Sequence, residues 1–210
     1  MENYYNIIQE AINNLHWIEI TAVITGIIYV ILAARENVWC WSFGIVSAAL
    51  WSYAAFDFYD LYVDAILQLY YVFVGVYGWV QWNKKTDNKQ ELKIQTLPIQ
   101  QHGIYILIGL SLTFLVGYFF DKFTPAAATY LDAFTTVFAL FTTYLVTQKI
   151  LENWLYWIVI DTVYIYLYGS RGGYLFALLN VIFVLVAIVG FIQWRRTYLM
   201  ERRTLIQKVK

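Results

Sequence analysis

The sequence is poor in the residues that anchor most soluble chemistry. One cysteine, Cys40, stands in 210 residues, so an intrachain disulfide is excluded and no thiolate metal cluster can be built. The two histidines, His16 and His102, both fall at the ends of apolar stretches, and no glycine-rich phosphate loop occurs. No apolar stretch carries a nucleophile beside a base. An enzyme is therefore not expected, nor a metal or a cofactor. Charged residues make up 13% of the chain, where a soluble domain carries about 25%. The formal net charge is zero, so nothing points to nucleic acid. Residues 1–15 hold Glu2 and Glu10, no Lys or Arg and no apolar core, so a cleavable signal peptide is not expected. There are two prolines, Pro98 and Pro125.

What the chain has is apolar surface. Hydrophobic residues make up 61% of it and aromatics 20%, with a mean hydropathy of +0.56. This composition predicts an all-α polytopic membrane protein forming one transmembrane domain over 1–210. Seven spans are expected, at about 16–34, 39–57, 62–82, 103–121, 130–147, 153–170 and 173–194. A polar loop with Lys84, Lys85, Lys89 and Lys93 precedes the fourth span, and a basic tail follows the seventh.

The sixth span carries the chemistry. Asp161 lies roughly 14 Å from either end of a helix over 152–171. A carboxylate at that depth costs several kcal/mol (about 2.5 or more) unless it faces a cavity or a partner. Trp154, Trp157, Asp161, Tyr164 and Tyr168 fall on one helical face. Aromatic rings around one buried negative charge suit a flat, cationic, hydrogen-bonding ligand. Two simpler roles are also open: Trp154 as an interfacial belt residue, and Asp161 as a structural carboxylate bonded within the bundle.

The chain repeats itself. Tyr62-Val-Asp-Ala-Ile-Leu-Gln68 aligns with Tyr174-Leu-Phe-Ala-Leu-Leu-Asn180, and the register carries Gly78 onto Gly190 and Gln81-Trp82 onto Gln193-Trp194. Further back it slips, setting Glu36-Asn37 against Glu152-Asn153, Trp41 against Trp157 and Tyr29 near Tyr144. Residues 16–82 and 130–194 thus read as two three-helix repeats joined by a linker helix, 103–121. An odd unit plus one linker returns the second copy to the same orientation, giving 3+1+3 parallel repeats. The amides Gln68 and Asn180 occupy equivalent positions, either facing a central cavity near Asp161 or bonding helix to helix. Glu19 reads as an interfacial carboxylate. Asp57, Asp60, Asp64 and Asp132 read as solvated charges at one side of the membrane rather than an acidic vestibule.

Of the 14 Lys and Arg, only Lys122 and Arg171 fall on the side shared by the N-terminus and those aspartates. The basic side is cytoplasmic by the positive-inside rule, which predicts N-terminus outside and C-terminus inside. The basic tail either binds anionic lipid or only sets this topology.

These residues resemble the PnuC family of bacterial vitamin transporters, over nearly the whole stretch from Trp17 to Trp194. The most specific part, Glu152-Asn153-Trp154-Leu-Tyr-Trp157-Ile-Val-Ile-Asp161, is similar to the family's substrate-site pattern of Trp, two residues, Trp, three residues, then Asn or Asp. Leu61 through Gln68 to Tyr77-Gly78-Trp79 is similar to its third span. The resemblance implies a SWEET-like fold, a homotrimer with one path per protomer, and a place in the bacterial inner membrane. It implies import of nicotinamide riboside by facilitated diffusion, with a cytoplasmic kinase trapping the product, and thiamine or riboflavin import in relatives. In that reading Trp154 and Trp157 stack on the substrate, Asp161 holds its charge or ribose hydroxyls, and Gln68, Asn180, Tyr164 and Tyr168 complete the site. The nicotinamide riboside members carry Asn at the last position of the pattern. Aspartate favours a cationic vitamin, nicotinamide riboside or thiamine, over neutral riboflavin. A reading of another class is a sensory or structural membrane protein with Asp161 bonded inside a packed bundle.

Overall fold

The computed structural model describes residues 16–58, 62–84, 92–123 and 129–209. Seven α-helices are found there: α1 (Trp17–Ala34), α2 (Cys40–Asp57), α3 (Tyr62–Asn83), α4 (Ile99–Phe123), α5 (Thr129–Thr147), α6 (Asn153–Ser170) and α7 (Tyr174–Val209). Four stretches, Trp17–Ala34, Ile99–Phe123, Tyr130–Thr147 and Tyr174–Thr204, are long and apolar enough to cross a membrane. The other three helices are of 18 to 22 residues, and their Trp, Tyr, Ser and Asp content lowers their hydropathy. The chain divides into two compact units, Met1–Leu92 and Lys93–Lys210.

In the first unit α2 packs against both α1 and α3. Glu19 is 2% exposed and accepts a hydrogen bond from the His16 backbone N–H at 2.8 Å, closing the first turn of α1. It caps the start of the helix at the end of the span. Ser47 donates to the Ala22 carbonyl at 2.8 Å and Ser52 to that of Ala65 at 2.9 Å, so buried hydroxyls bond α2 to both neighbours. Asp57 accepts from the Tyr53 hydroxyl at 2.9 Å, and Asp60 lies outside the described residues.

In the second unit α4, α5, α6 and α7 pack in sequence order. The linker helix α4 buries Gly109, Thr113 and Gly117, a small-residue stripe that meets Phe138 and Tyr130 of α5. Its other faces expose Ile104, Leu107, Phe114 and Phe119, as a lipid-facing helix would. It starts earlier than expected because Pro98 accepts the first helical bonds, from Gln101 N–H at 2.9 Å and His102 N–H at 3.3 Å. The segment before it is anchored to the α5–α6 connection. Gln95 N–H donates to the Lys149 carbonyl at 3.0 Å, and Leu151 N–H donates to the Gln95 carbonyl at 2.8 Å. His102 Nδ1 lies 2.9 Å from the Tyr156 hydroxyl and its Nε2 4.0 Å from Glu152, tying α4 to the first turn of α6. The last helix, of 36 residues, runs through the basic tail expected to lie beyond the span. After Gly190 no Gly or Pro interrupts it, and Arg, Leu, Met, Glu, Gln and Lys are strong helix formers.

One local geometry recurs in both units. Helix α1 ends at a left-handed residue, Glu36 (φ 56°), and α5 at Lys149 (φ 51°). The next amide closes each end in the same way, Asn37 N–H to Leu32 O and Ile150 N–H to Leu145 O, both at 3.0 Å. In the first unit Trp41 stands edge-on to Trp82, with ring centres 5.4 Å apart at 86°; in the second Trp154 stands edge-on to Trp194, at 5.4 Å and 89°. In this local geometry Trp154, rather than Trp157, stands as Trp41 does in the first unit, five residues after a left-handed turn residue.

Candidate functional site

The second unit places the predicted residues along α6, where they separate into two groups. Trp154 is 2% exposed. Its indole lies over Gly190, where an added Cβ would come within 2.8 Å of the ring. Only glycine lets α7 approach this closely. Trp154 is held in core packing, yet its Nε1–H is buried with no partner among the described residues. The same is true of Asn153 Oδ1, while Asn153 Nδ2 donates to the Ile150 carbonyl at 2.6 Å.

Trp157, Asp161 and Tyr164 form the second group. Trp157 and Tyr164 are half-buried and pack against the core cluster of Phe138, Ala139 and Ile160. Asp161 lies one turn beyond Trp157 and one turn before Tyr164; it is 5% exposed. Its carboxylate has no hydrogen-bond donor among the described residues. A buried polar group left unbonded is costly, and a charged one more so. Tyr164 faces Thr135 of α5, whose hydroxyl donates to the Leu131 and Asp132 carbonyls at 3.2 and 3.0 Å. Its ring stacks on Tyr168 at 5.7 Å and 20°, and Tyr168 in turn meets Phe176 of α7 at 5.4 Å.

Asn180 of α7 is buried and donates its Nδ2–H to the Phe176 carbonyl at 2.8 Å, within its own helix. Gln68 is half-buried on α3, in the first unit. Thr135, Phe138 and Phe176 were not singled out from the sequence. The threonines of α5 gave the only signal. Thr135, Thr142, Thr143 and Thr147 are all buried, an unusual density of hydroxyls for an apolar helix.

Asp132 is half-exposed but ion-paired, and stands on a helix rather than in a loop. On the first turn of α5, it takes a forked ion pair from Arg171, the residue that ends α6, with Nη2–Oδ2 at 2.7 Å and Nη1–Oδ1 at 3.3 Å. That hydrogen-bonded carboxylate raises the proton affinity of the guanidinium above its ordinary value. No group of three or more His, Cys, Asp or Glu that could hold a metal occurs among the described residues.

Comparison with known proteins sets this geometry in a family. The chain is 26% identical over 206 residues to the nicotinamide riboside transporter PnuC of Escherichia coli, covering 86% of each chain. It is 25% identical over 192 residues to the protein of that name from Neisseria mucosa, covering 86% of this chain and 72% of the other. The riboflavin/roseoflavin transporter RibM of Streptomyces davaonensis is 25% identical over 181 residues, with 85% of this chain and 84% of the other covered. The crystal structure of the vitamin B3 transporter PnuC superposes with a TM-score of 0.71 at 24% identity, covering 90% of this chain and 85% of that one. The model of the nicotinamide mononucleotide transporter family matches residues 16–196, and the chain, an all-helical multi-pass membrane protein, belongs to that family.

Proposed function

We propose that the protein imports nicotinamide riboside across the bacterial inner membrane. The observation that carries the reading is Asp161, a buried carboxylate without a donor among the described residues, set between Trp157 and Tyr164 on one face of α6. A pyridinium ring supplies what this site lacks, a flat positive charge that the rings can stack on and the carboxylate can hold, with a cation–π contact worth about 0.5–2 kcal/mol. The similarity to the nicotinamide riboside transporters of E. coli and N. mucosa supports the same substrate.

The riboside fits better than its phosphorylated form, although the family model is named for the mononucleotide. The only Lys or Arg in any of the seven spans as far as Trp194 is Lys122, near the end of α4. A phosphate entering the membrane would meet Asp161 and no opposing cation. Tyr168 and Asn180 extend the site on α6 and α7, and Gln68 holds the position matching Asn180 in the first repeat. Trp154 acts from behind, fixing α6 against α7.

The rest of the reading follows from duplication and charge. Residues 16–82 and 130–194 are parallel three-helix repeats of the SWEET type, which supports alternating access to one site. The two matching turns and Trp–Trp pairs support the duplication. Transport is downhill, and a cytoplasmic kinase traps the product; the working assembly is a homotrimer in lipid. The N-terminus lies outside and the C-terminus inside, because twelve of the 14 Lys and Arg gather on one side.

Thiamine is the second substrate to test, since its thiazolium has the same charge and flatness. Calorimetry of the purified protein with nicotinamide riboside, thiamine and riboflavin decides among them. Binding of nicotinamide riboside, lost in Asp161→Ala, is the expected result. Equal binding by wild type and Asp161→Ala would place the site elsewhere, and binding of none of the three would favour a sensory or structural role.

A further inference from the structure

We propose that Asp132 is an outer docking site for a planar organic cation, at which Arg171 is a built-in stand-in that arriving substrate displaces. The inference rests on the reading of the protein as a transporter of a cationic vitamin.

The geometry has three parts. First, Arg171 forks onto Asp132 at 2.7 and 3.3 Å, joining the first turn of α5 to the end of α6. A guanidinium is flat, delocalised and weakly hydrated. Asp132 is therefore already shaped to take a flat cation edge-on through two oxygens. Second, both side chains are 42% exposed, so dissolved cations can reach the pair. An ion pair at that exposure is weak and exchangeable.

Third, the pair stands at one end of a run of aromatic faces that ends at Asp161. Tyr168 lies one turn from Arg171 and stacks on Tyr164 at 5.7 Å, with Phe176 against it at 5.4 Å. Tyr164 faces Thr135, one turn along α5 from Asp132, and the Thr135 hydroxyl donates to the Asp132 carbonyl at 3.0 Å. Asp161 follows one turn later on α6. From Arg171 to Asp161 the run covers about 15 Å of helix. Two carboxylates at the ends of a track of π faces form a path along which a cation is attracted throughout.

The competing role is structural: a clamp between two helix ends. The two roles predict opposite signs. If the pair only clamps, Asp132→Asn and Arg171→Gln break the same bond and act alike. If Asp132 docks substrate, Asp132→Asn removes the site and Arg171→Gln frees it.

The experiment is initial-rate uptake of labelled nicotinamide riboside into proteoliposomes. Asp132→Asn should raise the half-saturating concentration about tenfold with little change in maximal rate. Arg171→Gln should lower it, by about threefold. Added salt should raise it in wild type and leave Asp132→Asn nearly unchanged. If Arg171→Gln folds poorly, Arg171→Lys, which cannot fork, should shift uptake in the same direction. The proposal is overturned if both single variants shift uptake the same way. Calorimetric binding at Asp161 tests the underlying reading separately. With that binding intact, a common shift removes only the role of Asp132. If wild-type protein binds no nicotinamide riboside, the transport reading itself falls.

Discussion

Trp154 and Gly190 are a matched pair: the indole lies where any Cβ on residue 190 would have to be, within 2.8 Å of the ring. Gly78 stands in the same relation to Trp41, with a closest approach of 2.4 Å. Helix α7 therefore lies as near to α6 as a tryptophan ring allows, and the face bearing Asp161 is set by that contact.

Gly190→Ala should destabilise the protein by about 1–3 kcal/mol, since the added methyl must move a packed indole. Gly78→Ala should cost a similar amount. Thermal unfolding in detergent measures both. Calorimetry should separate them, with affinity weakened in Gly190→Ala and unchanged in Gly78→Ala once each is compared below its melting temperature.

The two tryptophans of α6 should part in their effects. Trp154→Ala opens a buried cavity and should cost about 3–5 kcal/mol of stability. Trp157→Ala removes a half-buried ring beside Asp161. It should leave the melting temperature near wild type and weaken binding about tenfold. A loss of affinity in Trp154→Ala alone would move the stacking surface to Trp154.

Asp161→Asn keeps the shape of the side chain and removes its charge. Affinity for nicotinamide riboside should fall about tenfold, while neutral riboflavin should gain relative to it. Competition binding with the two ligands reads this directly.

His102 and Tyr156 tie the linker helix to α6. Tyr156→Phe should lose about 1 kcal/mol, the net value of one hydrogen bond. Hydrogen exchange should quicken at Leu151, whose amide bonds to Gln95 in the same cluster. Unchanged exchange there would show that the backbone pairing holds without the side chains.

Cys40 is fully buried and packs as a small hydrophobe, so its replacement by Ala gives a cysteine-free background without burying a hydroxyl. A cysteine placed at Arg203 should then react with impermeant maleimide only from the cytoplasmic side, and one at Lys122 only from outside. Labelling in the opposite sense would invert the topology.

Much of this was legible in the residues. Long apolar runs gave all seven helices, because hydrophobic length is a one-dimensional property. Asp161 stood out because a mid-span carboxylate needs a reason to be there. The left-handed turns at Glu36 and Lys149 and the Trp41–Trp82 and Trp154–Trp194 pairs were not legible, because a left-handed turn residue cannot be recognised from Glu or Lys. Trp154 and Trp157 looked alike as neighbours on one helical stripe. Their separation into a core ring and a half-buried one depends on Gly190, a residue of another helix. The approach of Tyr164 to Thr135 and the Arg171–Asp132 fork are likewise contacts between helices, which spacing along one helix cannot reveal.

The unbroken course of α7 has a mechanical meaning. Thirty-six residues of continuous helix make a rod about 54 Å long. Phe176, near one end, packs on the tyrosines beside the binding face, and the far end carries Arg202 and Arg203. A rod magnifies small angles: a tilt of about ten degrees, pivoting near Phe176, would swing its distal tip by roughly 9 Å over that length. A dye on Gln207 would then act as the pointer of a gauge, turning movements too slight to resolve at the substrate into displacements that distance-sensitive fluorescence can follow in real time.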